Sequence, residues 1–315
     1  MIVYLSSIFG YLLNFFYNII GNYGIAIILF SLTIKILMIP LSIKQQKSQK
    51  KSQKLQAEMK QIQFKYKNDP EKMNQATMEL YKREKMSPFS GCLLAILQMI
   101  ILFSVFYMVR EPLTYLKKMD SELINKYVTT LKEEQLIPNE AYAQIGVIGE
   151  ANKIKSLKEE NAELSEQEAK IAEVFGEELD QICTNMNFLG IDLSKVPTQS
   201  MSDFRVFIIP VLYVISSFVS IKLTTLTQVK SKKKEEEEVI EIKGEDNGTE
   251  QALEKVEEED PMQQASKSMS MIMPIMAVSI SLIAPLGLAL YWLTNNLLMI
   301  AERLVLDKII KSEEE

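Results

Sequence analysis

Apolar and polar residues along this chain fall into long separate blocks, not into the short alternations of a soluble domain. Residues 24–43 (GIAIILFSLTIKILMIPLSI) carry a single charge, Lys35, in a stretch long enough to cross a ~30 Å hydrocarbon core as a helix. Residues 89–109 (FSGCLLAILQMIILFSVFYMV) and 204–226, with Pro210 inside, repeat that pattern. Two further apolar segments, 268–284 and 285–304, are joined by almost nothing, which predicts an antiparallel pair with a tight turn. The fold class predicted is all-α: a polytopic membrane protein with five transmembrane helices at 23–43, 89–109, 204–226, 268–284 and 285–304.

The first 22 residues differ from these blocks. Ser7, Tyr11, Asn14 and Asn18 fall at i, i+4, i+7 and i+11, one face of a helix, with Leu5, Phe9, Leu12, Phe16 and Ile19 mostly on the other. The pattern suits an amphipathic helix lying in the membrane interface, and its length also admits an extra span; the interfacial reading is the favoured one. The first basic residue is Lys35, so the positive leading segment of a secretory signal is missing.

Between the spans the chain is strongly polar. Residues 44–88 are rich in Lys and Arg, and Leu55, Met59, Ile62 and Tyr66 repeat at helical spacing. After the turn signal Asn68-Asp69-Pro70 the spacing resumes with Met73, Thr77 and Leu80, which predicts a cytoplasmic helical hairpin with a narrow apolar seam. Residues 110–203 read as a helical extracytoplasmic region, and the sequence assigns no task to the insert at 113–186. Residues 227–267 open with charge blocks and hold few apolar residues, as in a disordered cytoplasmic loop, and 305–315 form a short tail ending in three Glu. Lys and Arg close to the span ends all fall on one side if the N-terminus is outside and the C-terminus cytoplasmic.

Composition then removes most enzyme chemistry. The 315 residues carry a formal net charge of −6 and no His, which excludes Ser-His-Asp and Cys-His nucleophiles and His-ligated metals. Two Cys, Cys92 and Cys183, cannot build a four-thiolate site and are expected on opposite membrane faces. No Gly-rich phosphate loop appears among 11 Gly. No cofactor, metal or catalytic residue is expected.

Lys35 is the residue with chemistry to explain. It sits ~16 Å along the first span, near mid-membrane, where a charge costs roughly 2.5–3.5 kcal/mol on insertion scales. Snorkelling is the plain alternative, but a Lys stem reaches only about 6 Å, so a wet polar cavity is favoured. Gln98 in the second span, Ser216, Ser217 and Ser220 in the third, and Thr294, Asn295 and Asn296 after Tyr291-Trp292 in the fifth are candidates to line it. Apart from Glu302 at the end of the last apolar segment, no carboxylate lies within an apolar span, so an anionic ligand, such as an arriving acidic peptide segment, is a natural partner for Lys35.

These residues resemble the YidC/Oxa/Alb family of membrane protein insertases, in its short five-span Gram-positive form. The resemblance is carried by MIMPIMAVSISLIAPLGLALYWLTNNL (Met271–Leu297), MSPFSGCLLAILQMIILFSVFYMV (Met86–Val109), YGIAIILFSLTIKILMIPLSIKQQKS (Tyr23–Ser48) and NFLGIDLS (Asn187–Ser194). It implies a hydrophilic, positively charged intramembrane groove that receives the polar segment of a substrate while its apolar segment slides into lipid. Lys35 then stands where the family typically has Arg, and Gln98, Ser216, Ser220, Trp292, Asn295 and Asn296 are implied groove residues. The hairpin, through Lys47, Lys50, Lys51, Lys54, Lys82 and Arg83, would receive substrates and contact the ribosome or the signal-recognition targeting machinery. Nascent membrane proteins, the Sec translocon and the phospholipid membrane are the implied partners, with no nucleic acid beyond a ribosome contact. The short acidic tail departs from relatives whose long basic tail helps to dock the ribosome.

The expectation is an insertase and chaperone of integral membrane proteins in the bacterial plasma membrane, acting alone or beside Sec. The other classes open to the residues are a small-anion transporter or channel using Lys35, and a membrane scaffold whose hairpin recruits a soluble partner.

Overall fold

The computed structural model describes residues 1–67, 69–84, 90–137, 140–223 and 279–314. The charged loop expected at 227–267 and most of the fourth span expected at 268–284 lie outside the described residues. Among the described residues the protein is all-α apart from one small β-hairpin. Among the described residues, the helices Ile2–Ile20, Tyr23–Ser48 and Phe204–Leu223 are long and apolar enough to cross a membrane, and Ile96–Arg110 is a shorter apolar stretch. The helix that begins at Leu286 carries Thr294-Asn295-Asn296 midway, which dilutes its apolar character.

Helix α1 (Ile2–Ile20) ends at Gly21, whose φ of 67° lets its N–H return to the Tyr17 carbonyl at 2.7 Å. Helix α2 (Tyr23–Lys54) does not stop where its apolar run ends near residue 43. The Lys, Gln and Ser residues that follow propagate a helix well enough to carry it on for three more turns, past an internal Pro40. Helices α3 (Gln56–Lys65) and α4 (Pro70–Arg83) follow and pack on each other. Asp69 starts α4 by accepting from the Lys72 backbone N–H at 3.1 Å, and Pro70 fills the first helical position, where no N–H is needed. Leu55 and Leu80 are buried here, with Met59, Ile62, Tyr66, Met73 and Thr77 half-buried.

Helix α5 (Ser90–Arg110) leads into the short α6 (Pro112–Tyr115), then α7 (Ser121–Glu133), α8 (Ala143–Glu159), α9 (Glu166–Phe175) and α10 (Leu179–Ile182). Helices α7, α8 and α9 pack around Leu131, Ile145, Ile148, Ile154 and Ile171, continuous with the core of the first unit, with Tyr127 set edge-on against Phe175 at 5.3 Å. Helix α9 opens with a reciprocal cap: Ser165 accepts from Glu168 N–H, and the Glu168 carboxylate accepts from Ser165 N–H at 2.9 Å. Together with the Lys153 ammonium, these bonds hold the Glu168 carboxyl down to about 2. The region expected to be helical also contains a hairpin of β1 (Asn187–Phe188) and β2 (Ile191–Asp192), too short to announce itself by alternation. Helix α11 (Phe204–Leu223), a short helical stretch at 279–283 and helix α12 (Leu286–Glu314) complete the described residues.

The chain divides into two compact units. The first holds Met1–Leu37, Met99–Ser216 and the described residues within Ile275–Ala301; the second holds Met38–Gln98, with described residues from Ser217 and Glu302 onward. In the first unit the N-terminal ends of α2, α11 and α12 and the C-terminal end of α5 meet at one level. Tyr23 donates its backbone N–H to the Asn185 carbonyl at 3.0 Å and its hydroxyl to the Val109 carbonyl at 3.4 Å. Leu286 and Gly287 donate to the carbonyls of Lys195 and Leu193, both at 2.9 Å. Arg205 donates to the Gly190 carbonyl at 3.2 Å. The first backbone N–H groups of a helix have no partner within it. Residues 185–195 supply carbonyl acceptors to two such ends, so this segment caps α2 and α12 and ties them to α11.

Helix α1 runs across this end of the unit. Its C-terminus reaches Tyr23 through Gly21 and Asn22, while at its other end Ile2 accepts from Ser104 Oγ at 3.4 Å. Its faces are three, not two. Ser6, Phe9, Gly10 and Leu13 are buried; Ser7 and Tyr11 meet the Lys118 ammonium; Tyr4, Ile8, Phe15 and Ile19 are exposed. Ser6 is buried because its hydroxyl donates to the Ser104 carbonyl at 2.9 Å.

Candidate functional site

Three apolar helices of the first unit start from the same capped end, and each carries polar residues 10–12 positions further on. Lys35 follows Tyr23 by 12 positions, Ser216 follows Phe204 by 12, and Asn296 follows Leu286 by 10. At 1.5 Å per residue these lie roughly 15–18 Å from the common end, the mid-depth of a hydrocarbon core.

Helix α2 presents two different long faces. Ile25, Leu32 and Ile36 form an exposed stripe, and Tyr23, Ala26, Ile27 and Phe30 a buried one. Lys35 falls between them and is half-buried, one turn beyond the buried Ser31. Ser31 returns its hydroxyl to the Ile27 carbonyl at 2.8 Å, and Thr33 does the same to Leu29 at 2.8 Å, so neither leaves an unsatisfied donor in apolar surroundings.

Helices α11 and α12 meet through two rungs. Tyr213 and Trp292 place their rings 6.4 Å apart. One turn on, Asn296 Nδ2 donates to Ser216 Oγ at 2.8 Å, and Ser216 donates in turn to the Tyr213 carbonyl at 2.8 Å. The spacings i, i+3 on α11 and i, i+4 on α12 keep each pair on one helix face, and the rungs run in the same order because the helices are parallel. Ser216 and Asn296 are both buried, with Thr294 and Ser217 beside them in sequence also buried, while Trp292 and Asn295 are half-buried.

Of the residues singled out in the sequence, Lys35, Ser216, Trp292, Asn295 and Asn296 belong to this unit, and the Ser216–Asn296 pair is brought into direct contact. Gln98 and Ser220 belong to the second unit. Gln98 is exposed, as are Ile96, Leu97 and Met99. Four successive residues point 100° apart, so α5 is uncovered around most of its circumference there by the described residues. Tyr213 was not singled out, although its place three residues before Ser216 puts it on the same face.

The hairpin in the second unit uses part of its charge internally. Arg83 pairs with Glu58 and, at 3.3 Å, with Glu84; Lys51 donates to the Glu84 carbonyl and lies 3.8 Å from its carboxylate. Lys47 and Lys82 are exposed, while the side chains of Lys50 and Lys54 lie outside the described residues.

At the capped end, Asp203 accepts from Arg205 Nε at 2.9 Å and from Lys195 Nζ at 3.2 Å. These cations hold its carboxyl down to about 2. Lys117 donates to the Cys183 carbonyl at 2.9 Å beside the Tyr17 ring, and burial lowers its ammonium from the ordinary value.

Comparison with known proteins adds an independent line. A profile of the family described as 60Kd inner membrane protein matches residues 15–314. The chain is 43% identical over 107 residues to a protein of Fusobacterium nucleatum named membrane protein insertase YidC, covering 34% of this chain and 52% of that one. It is 44% identical over 101 residues to a protein of the same name from Caldanaerobacter subterraneus, covering 32% and 49%. A third of that name, from Geobacter sulfurreducens, is 48% identical over 94 residues, covering 30% and 18%. The matched region thus spans about half the length of the first two relatives and less of the third.

Proposed function

The chain belongs to the 60Kd inner membrane protein family, the YidC/Oxa insertases, and from that premise we propose that it inserts and folds other membrane proteins through a polar groove built around Lys35. The observation that carries this reading is the common depth of Lys35, Ser216 and Asn296 in helices that are otherwise apolar.

The physics asks for no hydrolysis and no cofactor. Moving a polar segment into hydrocarbon is costly because its peptide groups and charges lose water. A half-buried ammonium offers an acidic segment an attractive site part-way across, and the Asn and Ser side chains offer hydrogen bonds there. The substrate's apolar segment passes onto lipid-facing side chains and into the bilayer, gaining about 25 cal/mol per Å² buried. That gain drives release from a groove whose own hold is weak. Residues 185–195, which cap α2 and α12 and tie in α11, form the floor of the groove on the far side from its entrance.

The Lys and Arg pattern supports a topology with that floor outside a bacterial plasma membrane and both the hairpin and the C-terminus in the cytoplasm. The polar stripe of α1 and its exposed apolar face support a helix that lies in the outer interface, not an additional span. The hairpin serves as the landing surface for the targeting machinery or ribosome, and Lys51 and Arg83 are engaged within it by Glu84 and Glu58. Work beside the Sec translocon fits the same topology.

The test is reconstitution into liposomes, measuring protease-protected insertion of a single-span substrate with an acidic leading segment. Wild type and Lys35→Arg are expected to insert it, and Lys35→Ala to fall toward the level of empty liposomes. Equal insertion by Lys35→Ala would remove Lys35 from the mechanism. Loss of a small-anion flux instead of insertion would move the assignment to a transporter.

A further inference from the structure

The turn that joins β1 to β2 consists of Leu189 and Gly190, with φ of 52° and 79°. Two successive residues with positive φ make the tight turn that suits a twisted hairpin, and the first position favours Asn, Asp or Gly. A leucine there is strained by its Cβ. It is also 86% exposed, among the most exposed large apolar side chains described. Burial within the protein therefore does not explain why a strained apolar residue occupies the tip.

The turn is nevertheless held firmly. Gly190 N–H donates to Asn187 Oδ1 at 2.9 Å, and its carbonyl accepts from Arg205. Asn22 donates to the Asn187 carbonyl at 2.7 Å. Phe188 packs so closely on Gly24 that a Cβ at that position would stand 2.7 Å from its ring. The hairpin is thus fixed against the first turns of α2 and α11, with Leu189 projecting from it.

Its neighbours on those helices are the ends of lipid-facing stripes. On α11, Phe204, Ile208, Val211 and Ile215 are all exposed at i, i+4, i+7 and i+11. Phe204 is 76% exposed and adjoins the arginine that holds the turn. On α2 the exposed stripe begins with Ile25, next to the glycine under Phe188. Polar groups ring the same level: Asn22, Asn187, Asp203 and Arg205. Apolar tips beside a polar ring match the boundary between acyl chains and headgroups.

We propose that the Leu189 turn, together with Phe204, is a membrane anchor that dips into the lipid leaflet on the side of the 112–203 insert and fixes the insert against the bilayer. Its occupant is lipid, because the exposed leucine extends an apolar surface that already belongs to the spans. The anchor rests on the membrane-spanning character of these helices and not on what the groove transports.

The experiment uses the full chain in phosphatidylethanolamine–phosphatidylglycerol vesicles, with Cys92→Ala and Cys183→Ala, and a bimane label on Leu189→Cys or on Asn161→Cys. Asn161 lies in the exposed turn after α8. The Leu189 label is expected to be quenched by lipids carrying a nitroxide near the headgroup and shielded from aqueous iodide, with the Asn161 label behaving the opposite way. Iodide quenching of both labels alike would overturn the proposal. Quenching of the Leu189 label by neither agent would also overturn it, since the tip would then lie against protein. Leu189→Gly, which accepts positive φ without strain, separates anchoring from folding. It should be at least as stable as wild type in detergent, yet in vesicles it should weaken lipid quenching of a label at Phe204→Cys. Unchanged quenching there would contradict an anchoring role for Leu189.

Discussion

Asn296 donates to Ser216 at 2.8 Å across two apolar helices, both residues buried, and the bond sits one turn beyond the Tyr213–Trp292 ring contact. A polar pair at this depth both joins the helices and furnishes hydrogen-bonding capacity where lipid offers none. Inter-helix hydrogen bonds in membranes are modest, so a double-mutant cycle of Ser216→Ala and Asn296→Leu on detergent unfolding should give a coupling of about 0.5–1.5 kcal/mol. A coupling near zero would mean that the pair is not joined in the folded protein.

One of the contacts that dock α1 is a very close approach to α6. A Cβ on Gly10 would stand 2.3 Å from the Tyr115 carbonyl oxygen, a backbone atom that cannot swing aside. Gly10→Ala is expected to cost about 1–3 kcal/mol of α1 docking, as overpacking does elsewhere. Hydrogen exchange should show it as faster exchange in α1 with α7–α9 unchanged. Unaltered exchange in α1 would show that the helix tolerates the displacement.

The capped end should respond to acid with a defined sign. Asp203 has a carboxyl held down to about 2, chiefly by Arg205 and also by Lys195, against an ordinary value of 3.8. The folded state therefore binds fewer protons than the unfolded state between those values. The contribution of Asp203 is present in full above the ordinary value and disappears as pH falls through about 2. In Asp203→Asn, stability near neutrality should drop and this part of the acid dependence should vanish. The check is thermal unfolding of both proteins at neutral pH and in steps down to pH about 2, where their difference should close. A difference that stays constant with pH would assign the loss to the capping geometry alone.

The blocks that drive the fold were plain in the sequence wherever a long-range physical requirement set them. A 20-residue apolar run with one lysine has few ways to exist, and Asp69-Pro70 starts a helix by chemistry local to four residues. What the sequence hid depends on contacts between distant segments. Ser6 reads as a break in an apolar face, and its bond to the distant Ser104 carbonyl appears only in the folded chain. Nothing local in residues 185–195 says that their carbonyls cap helices beginning at Tyr23 and Leu286. The site was partly legible: Ser216 and Asn296 were flagged as polar residues in apolar spans, but their pairing needs the parallel packing of α11 and α12. Lys51 and Arg83 looked like a docking surface, and their pairing with Glu84 and Glu58 appears only once the hairpin folds.

The central claim is that the charge of Lys35 attracts the polar segment being moved, and a charge exchange tests it most directly. Lys35→Glu in liposomes should fail to insert a single-span substrate with an acidic leading segment. It should recover insertion when that segment is made basic, while wild type shows the reverse preference. Inversion of preference with the sign of residue 35 is the predicted result. Equal preference by both proteins, or failure of Lys35→Glu on both substrates while it remains folded, would contradict it.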